Sequence, residues 1–339
     1  MSKKLWTGIF SGFGLLLLIL DGKTGIYGAA EGLRLCIQTL IPSLFPFFFL
    51  SILLTGSLSG TNFPFLRPLG QLCGIPKGTE MLFVIGLFGG YPSGAQCVAQ
   101  SYEAGQLSRR QAERMLGFCS NAGPSFLFGI LASRFGQMRI AWMLWLVHIL
   151  SAVFTAALLP GKQSLNSEIQ PSNLLSLPQV LKKSISIMGQ ICGWVIISRV
   201  IICFLNRWVL WLLPTWLQVC ITGILELANG CIDLSAVTND GLRFVICCGL
   251  LSFGGICVLM QTISVTGKLG LGMYLPGKLI QTGLSLLFGY FLQHFLFAPT
   301  ERIRISYWFF GIIAAVILLS FIYFLRKEKN SSNSMAFGV

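Results

Sequence analysis

Three ionisable side chains stand inside stretches that are otherwise apolar, and these are where chemistry is expected first. Glu226 lies in Leu225-Glu226-Leu227-Ala228-Asn229-Gly230, Asp233 just beyond it, and Arg199 in Ile196-Ile197-Ser198-Arg199-Val200-Ile201-Ile202. A carboxylate surrounded by hydrocarbon costs a few kcal/mol unless it is paired, protonated or bound to a cation. Glu226, with Asp233 able to share its proton or ion, is therefore a candidate carrier of a coupling proton or sodium ion. The structural alternative is that Glu226 caps a half-helix or pairs with a base such as Arg199. Arg199 cannot shed its proton, so it needs a carboxylate, carbonyls or an anionic cargo.

A second group of polar residues sits at breaks in the apolar pattern. Gly86-Leu87-Phe88-Gly89-Gly90-Tyr91-Pro92-Ser93-Gly94-Ala95 contains Ser93; Cys119-Ser120-Asn121-Ala122-Gly123-Pro124-Ser125 contains Ser120, Asn121 and Ser125. Asn229 and Ser252 hold similar places further on. Half-helices starting at such breaks aim backbone N–H groups and a positive dipole end at a cavity, which suits a carboxylate or phosphate. Each of these residues alone could equally be a helix cap.

The elements that must position them are membrane spans. Spanning stretches of about 20 residues are expected at 5–20, 42–58, 139–159, 185–206, 279–297 and 306–325, and interrupted spans at 112–133 and 241–266. Segments 79–104 and 215–238 turn at Tyr91-Pro92-Ser93-Gly94 and Ala228-Asn229-Gly230. Their arms of about ten residues are too short to cross, so each reads as a re-entrant hairpin. Broken backbone in lipid survives only where protein or a wet cavity covers it, as in carriers.

The expected fold is an all-α polytopic membrane protein of about eight transmembrane helices and two re-entrant hairpins in two inverted repeats. The first repeat covers 1–160, a polar linker 161–178, the second repeat 179–326, and a cytosolic tail 327–339. Ser108-Arg109-Arg110-Gln111 reads as a capping box, with Arg109, Arg110 and Arg114 as interfacial anchors. Lys3-Lys4 before Leu5 to Leu20 reads as a retained first span rather than a cleaved leader.

Composition supports that class: 54% of residues are hydrophobic and only 10% charged, with mean hydropathy +0.77, against about 25% charge in soluble domains. The net charge of +13 falls in short loops, which fits membrane topology better than nucleic-acid binding. With the N-terminus inside, fifteen of the 24 Lys and Arg, Lys278 among them, fall on the inside and eight outside, with Arg199 mid-span. Both termini are then cytoplasmic. The eleven cysteines form no C-x-x-C, and the two histidines, His148 and His294, are far apart, so neither a metal site nor a cofactor is expected. Asp21-Gly22-Lys23-Thr24 lacks the first glycine of a phosphate loop, and no G-x-S-x-G or H-E-x-x-H is present. An enzyme is not expected.

Pro42-Ser43-Leu44-Phe45-Pro46-Phe47, Gly89 to Ala95, Glu103-Ala104-Gly105-Gln106-Leu107-Ser108, Phe118 to Pro124 and Glu226 to Gly230 together resemble the bacterial sporulation integral membrane proteins. These carry a nucleoside-recognition, or Gate, domain shared with concentrative nucleoside transporters and the ferrous-iron transporter B. The resemblance covers roughly residues 5 to 325. It implies a carrier of two inverted repeats in a mother-cell or forespore membrane, with dipicolinate as cargo and Ser93, Asn121, Glu226, Asn229 and Ser252 as site positions. Tyr91-Pro92-Ser93 replaces the Gln-Thr-Glu pattern of the nucleoside carriers' first hairpin, which disfavours nucleoside cargo. The GTPase domain of the iron transporter is not in this sequence, so iron uptake of that type is not expected.

The expected function is a secondary transporter of a small anionic, dipicolinate-like dicarboxylate coupled to a proton or sodium ion, in the lipid bilayer, compatible with a homo-oligomer. The alternatives are an ion-coupled nucleoside permease and a non-transporting sporulation membrane scaffold.

Overall fold

A computed structural model describes residues 3–57, 61, 63–160 and 175–297. The expected span at 306–325, the tail 327–339 and most of the 161–178 linker lie outside the described residues. Among those described, every regular element is helical. Five helices are long and apolar enough to cross a bilayer: Gly22–Ser57, Met138–Leu158, Leu177–Trp208, Asp240–Leu269 and Tyr274–Leu296.

The chain opens with α1 (Lys3–Leu20) and turns at Asp21 into α2 (Gly22–Ser57). Asp21 caps α2 through the Thr24 N–H and pairs with Arg207 at 2.8 Å, pinning this corner to the end of α9 (Leu177–Trp208). The amphipathic stretches ahead of 42–58 and 185–206 are continuous with those spans, because nothing before Pro42 breaks the first and Ser176 with Gln179 forms a capping box that starts the second. Pro42 removes the N–H owed to the Gln38 carbonyl, and the helix widens to a π turn over Cys36–Leu40 just before it.

α2 and α9 lie against each other along Gly28 and Gly32. A Cβ on Gly28 would sit 2.8 Å from Val200 Cα, and one on Gly32 2.9 Å from Ile196 Cα. Small residues four apart are what allow two membrane helices this approach.

After the short α3 (Arg67–Cys73) comes the first hairpin, α4 (Glu80–Phe88) and α5 (Ser93–Glu103), joined through Gly89 to Pro92. The helix α6 (Arg109–Cys119) starts at the Ser108–Gln111 capping box. It breaks over 120–123 and continues as α7 (124–135), ahead of α8 (Met138–Leu158). Gly86 and Gly94 face each other across the first hairpin, and a Cβ on either would lie 1.8 Å from the Cys119 carbonyl oxygen. The hairpin therefore packs backbone to backbone on the end of α6.

The later elements follow in similar order: α9, a second hairpin α10 (Thr215–Leu225) and α11 (Leu227–Asp233), the broken pair α12 (Asp240–Phe253) and α13 (Gly255–Thr266), and α14 (Tyr274–Leu296). α8 packs on α14, and both pack on α6 and α12 at the centre.

Three sequence expectations need correction. The second hairpin turns at Glu226, whose backbone is extended (φ −147°, ψ 118°), while Asn229-Gly230 lies inside α11. Gly230 serves packing instead of turning: its Cβ would lie 2.1 Å from Gly223 Cα. Arg114 is not an interfacial anchor but a buried residue, donating to the carbonyls of Cys73, Gly74, Ala156 and Pro160, where α3 and α8 end. Helix C-termini leave carbonyls without donors, and a guanidinium supplies five. Lys278, counted among inner loop charges, lies inside α14 with no exposed surface.

Candidate functional site

The two hairpin tips and the first break close around one small cavity of about 50 Å³. Gly90 and Tyr91 come from the first tip, Glu226, Leu227 and Ala228 from the second, and Ala122 and Gly123 from the break. Leu40 and Leu44 of α2, Ile191 and Val195 of α9, and Gln261 of α13 complete the wall. The lining is mainly apolar.

Glu226 is buried and caps the second half-helix. Its oxygens accept from the Ala228 N–H at 3.0 Å, the Asn229 N–H at 2.6 Å and Asn229 Nδ2 at 2.6 Å. This explains why the chain turns here: the side chain satisfies the N–H groups that start α11, outcompeting the turn preference of Asn-Gly. Asn229 thus belongs to the Glu226 cap. Asp233 ends the same seven-residue helix, about 10 Å further along its axis, so the two carboxylates do not share a proton directly.

Arg199 lies where α9 meets α2, its Cβ 3.2 Å from a Cβ placed on Gly32. Among the described residues it forms no ion pair with Glu226 or Asp233.

The remaining candidates lie beside the cavity rather than on its wall, all buried except the half-buried Ser125. Ser93 Oγ donates to the Gly90 carbonyl at 2.6 Å and holds the first tip closed. The hydroxyls of Ser120 and Ser125 have no partner. Asn121 Nδ2 donates to the Phe118 carbonyl at 2.7 Å, and its Oδ1 accepts from Gln281 Nε2 at 2.9 Å.

Behind the cavity runs a buried polar network centred on Lys278, which the charge count along the sequence puts among the inner-side charges. Lys278 Nζ donates to the Tyr91 hydroxyl at 3.1 Å, the Ser120 carbonyl at 2.5 Å and Gln281 Oε1 at 2.7 Å. All three ammonium hydrogens are used, and every acceptor is neutral. Nζ also lies 4.9 Å from the centre of the Tyr91 ring, within reach of its π face. Tyr91 in turn donates to the Leu251 carbonyl at 2.9 Å, at the end of α12. Among the described residues no carboxylate pairs with Lys278.

A second branch includes Ser252. The Ala122 N–H donates to His148 Nε2 at 3.0 Å, which requires that nitrogen to be an acceptor and puts the imidazole proton on Nδ1, facing Ser252 Oγ at 3.2 Å. From Ser252 the donors run on to Ser285, to Ser151 at 2.9 Å, and to the His148 carbonyl at 2.9 Å. The first break, α8, the second break and α14 are thus tied together by hydrogen bonds.

The signal for this network was present in the sequence as polar residues at helical spacing: Lys278, Gln281 and Ser285 on one apolar helix, His148, Ser151 and Thr155 on another. Such a stripe marks one helix face.

No family model matches the chain. No solved structure matches it. The chain is similar to the sporulation integral membrane protein YlbJ of Bacillus subtilis (strain 168), 32% identical over 142 residues, which is 40% of this chain and 34% of that protein. The matched part spans about a third of the length of that curated relative. With five apolar helices of spanning length among the described residues, this makes the chain an integral membrane protein with a sporulation membrane protein as its homologue.

Proposed function

We propose that this protein is a secondary transporter moving a small organic dianion of the dipicolinate type across a membrane around the developing spore. The observation that carries this reading is Lys278, a buried ammonium whose three partners are all neutral. An uncompensated charge removed from water costs several kcal/mol, so the site is disposed to accept an anion. Tyr91 stands between this cation and the tip cavity, touching both. The YlbJ name adds the sporulation membrane.

In this reading the chain consists of two inverted repeats, 1–160 and 179–326, with both hairpins re-entrant and the termini cytoplasmic. One repeat moves against the other to alternate access. A cavity of about 50 Å³ has room for little more than water, so cargo enters only when the tips part, and the present arrangement corresponds to an occluded carrier. Glu226, released from its cap as the tips part, carries the coupling proton or sodium ion. Ser120 and Ser125, with free hydroxyls at the break, contribute donors to the cargo. No catalytic chemistry is assigned to the chain.

The test is uptake of radiolabelled dipicolinate into proteoliposomes containing the full chain, with Lys278→Met and Glu226→Gln variants. Saturable flux lost in Lys278→Met, and no longer dependent on the coupling-ion gradient in Glu226→Gln, supports the carrier. Competition by uridine but not by dicarboxylates would turn the reading to a nucleoside permease. Absence of flux, with sporulation unaffected by either substitution, would leave a membrane scaffold.

A further inference from the structure

Gln96, on the inner arm of the first hairpin, is buried, and its Nε2 donor has no hydrogen-bond partner. It lines an open cleft of about 440 Å³, within the size range of small-molecule sites. A donor left unpaired out of water costs about 1–3 kcal/mol, so this amide is held for an acceptor that arrives from outside the protein. Across the cleft, α9 presents Lys182, Lys183, Ser186 and Gln190, spaced so that they fall on one helix face. Among the described residues no carboxylate lines the cleft and neither lysine is in an ion pair. The cleft is therefore cationic, with its charge uncompensated and an amide donor at its buried wall.

The same three elements that wall the cleft also wall the tip cavity. Along α9, Gln190 of the cleft is followed by Ile191 and Val195 of the cavity; along α13, Ser264 is preceded by Gln261; in the first hairpin, Gln96 is preceded by Gly90 and Tyr91. Cleft and cavity are neighbouring compartments, the first the larger and more open of the two.

We propose that this cleft is a second anion site, taking a small organic dianion with its carboxylates on Lys182 and Lys183 and one carboxylate oxygen on Gln96 Nε2. Its role as the loading vestibule of the tip cavity rests on the carrier reading; its binding of an anion does not. Dicarboxylate captured at the lysines is about 12 Å, just over two turns of α9, from the tip cavity and enters it when the first tip withdraws.

The experiment is equilibrium binding of radiolabelled dipicolinate, and separately of inorganic phosphate, to the full chain in lipid nanodiscs, followed by flux in proteoliposomes. Lys182→Gln with Lys183→Gln weakens dipicolinate binding roughly tenfold and raises the KM for flux without lowering its maximum, while arginine at both positions keeps binding within about threefold. Gln96→Leu weakens binding at least threefold without changing its dependence on salt, since it removes a neutral donor. Binding indifferent to the double glutamine variant, or no saturable binding of either anion to folded wild-type protein, overturns the site. Lysine-dependent binding with no wild-type flux would reject the carrier reading and leave the anion site standing.

Discussion

Lys278 Nζ donates to the Tyr91 hydroxyl at 3.1 Å across 187 positions of sequence, joining the first hairpin tip to α14. The contact places an ammonium against a phenol, a carbonyl and an amide, with no carboxylate among the described residues to balance it. Methionine in its place relieves the buried charge but leaves the Ser120 carbonyl and Gln281 Oε1 without their donor, at about 1–3 kcal/mol. Lys278→Met should therefore lower the melting temperature modestly while reducing dipicolinate flux at least tenfold. A variant that transports normally would remove Lys278 from the mechanism.

The hairpin glycines should tolerate no side chain. Gly86→Ala and Gly94→Ala each drive a methyl into the Cys119 carbonyl, and Gly230→Ala into Gly223. Overpacking of backbone on backbone should cost about 3 kcal/mol or more, read as loss of the folded, monodisperse fraction in detergent. Gly129→Ala and Gly189→Ala, where nothing lies within 4 Å, should be silent or stabilise by up to about 1 kcal/mol.

Removal of the Glu226 cap has a structural and a functional consequence that two substitutions separate. Glu226→Ala deprives Ala228, Asn229 and the start of α11 of their acceptor and should cost about 1–2 kcal/mol. Glu226→Gln keeps one acceptor oxygen but no charge. Flux through it should lose its dependence on the coupling-ion gradient; retained dependence would assign coupling elsewhere.

His148 should be neutral with its proton on Nδ1, because Nε2 accepts from the Ala122 N–H. Nitrogen-15 NMR of labelled histidine reads this tautomer directly. His148→Leu leaves Ala122 N–H and Ser252 without that partner and should destabilise the protein by about 1–3 kcal/mol. An Nε2–H tautomer would contradict the donor chain through Ser252, Ser285 and Ser151.

Arg114→Met should destabilise by about 3 kcal/mol, since it strips donors from the carbonyl ends of two helices at once. The loss should appear as weakened protection of the amides of α3 and the last turn of α8 in hydrogen exchange.

Sequence alone was enough to show that this is a helical membrane protein with interrupted helices, because hydrocarbon penalises every charge and every unpaired amide. The breaks at Ser120 to Gly123 and at Gly254 were legible in glycine and proline, and the Ser108–Gln111 cap in four adjacent residues. What depended on distant partners was not. Glu226 reads from sequence as an ion carrier, with a half-helix cap as the alternative; the fold makes it the cap, and places the turn there rather than at Asn-Gly. Lys278 looked like a loop charge because its partners, Tyr91, Ser120 and Gln281, come from three elements, two of them more than 150 positions away. Patterning along a chain reports which backbone can sit in lipid. Which charges meet at the centre depends on how helices separated by half the sequence pack, and only tertiary structure decides that.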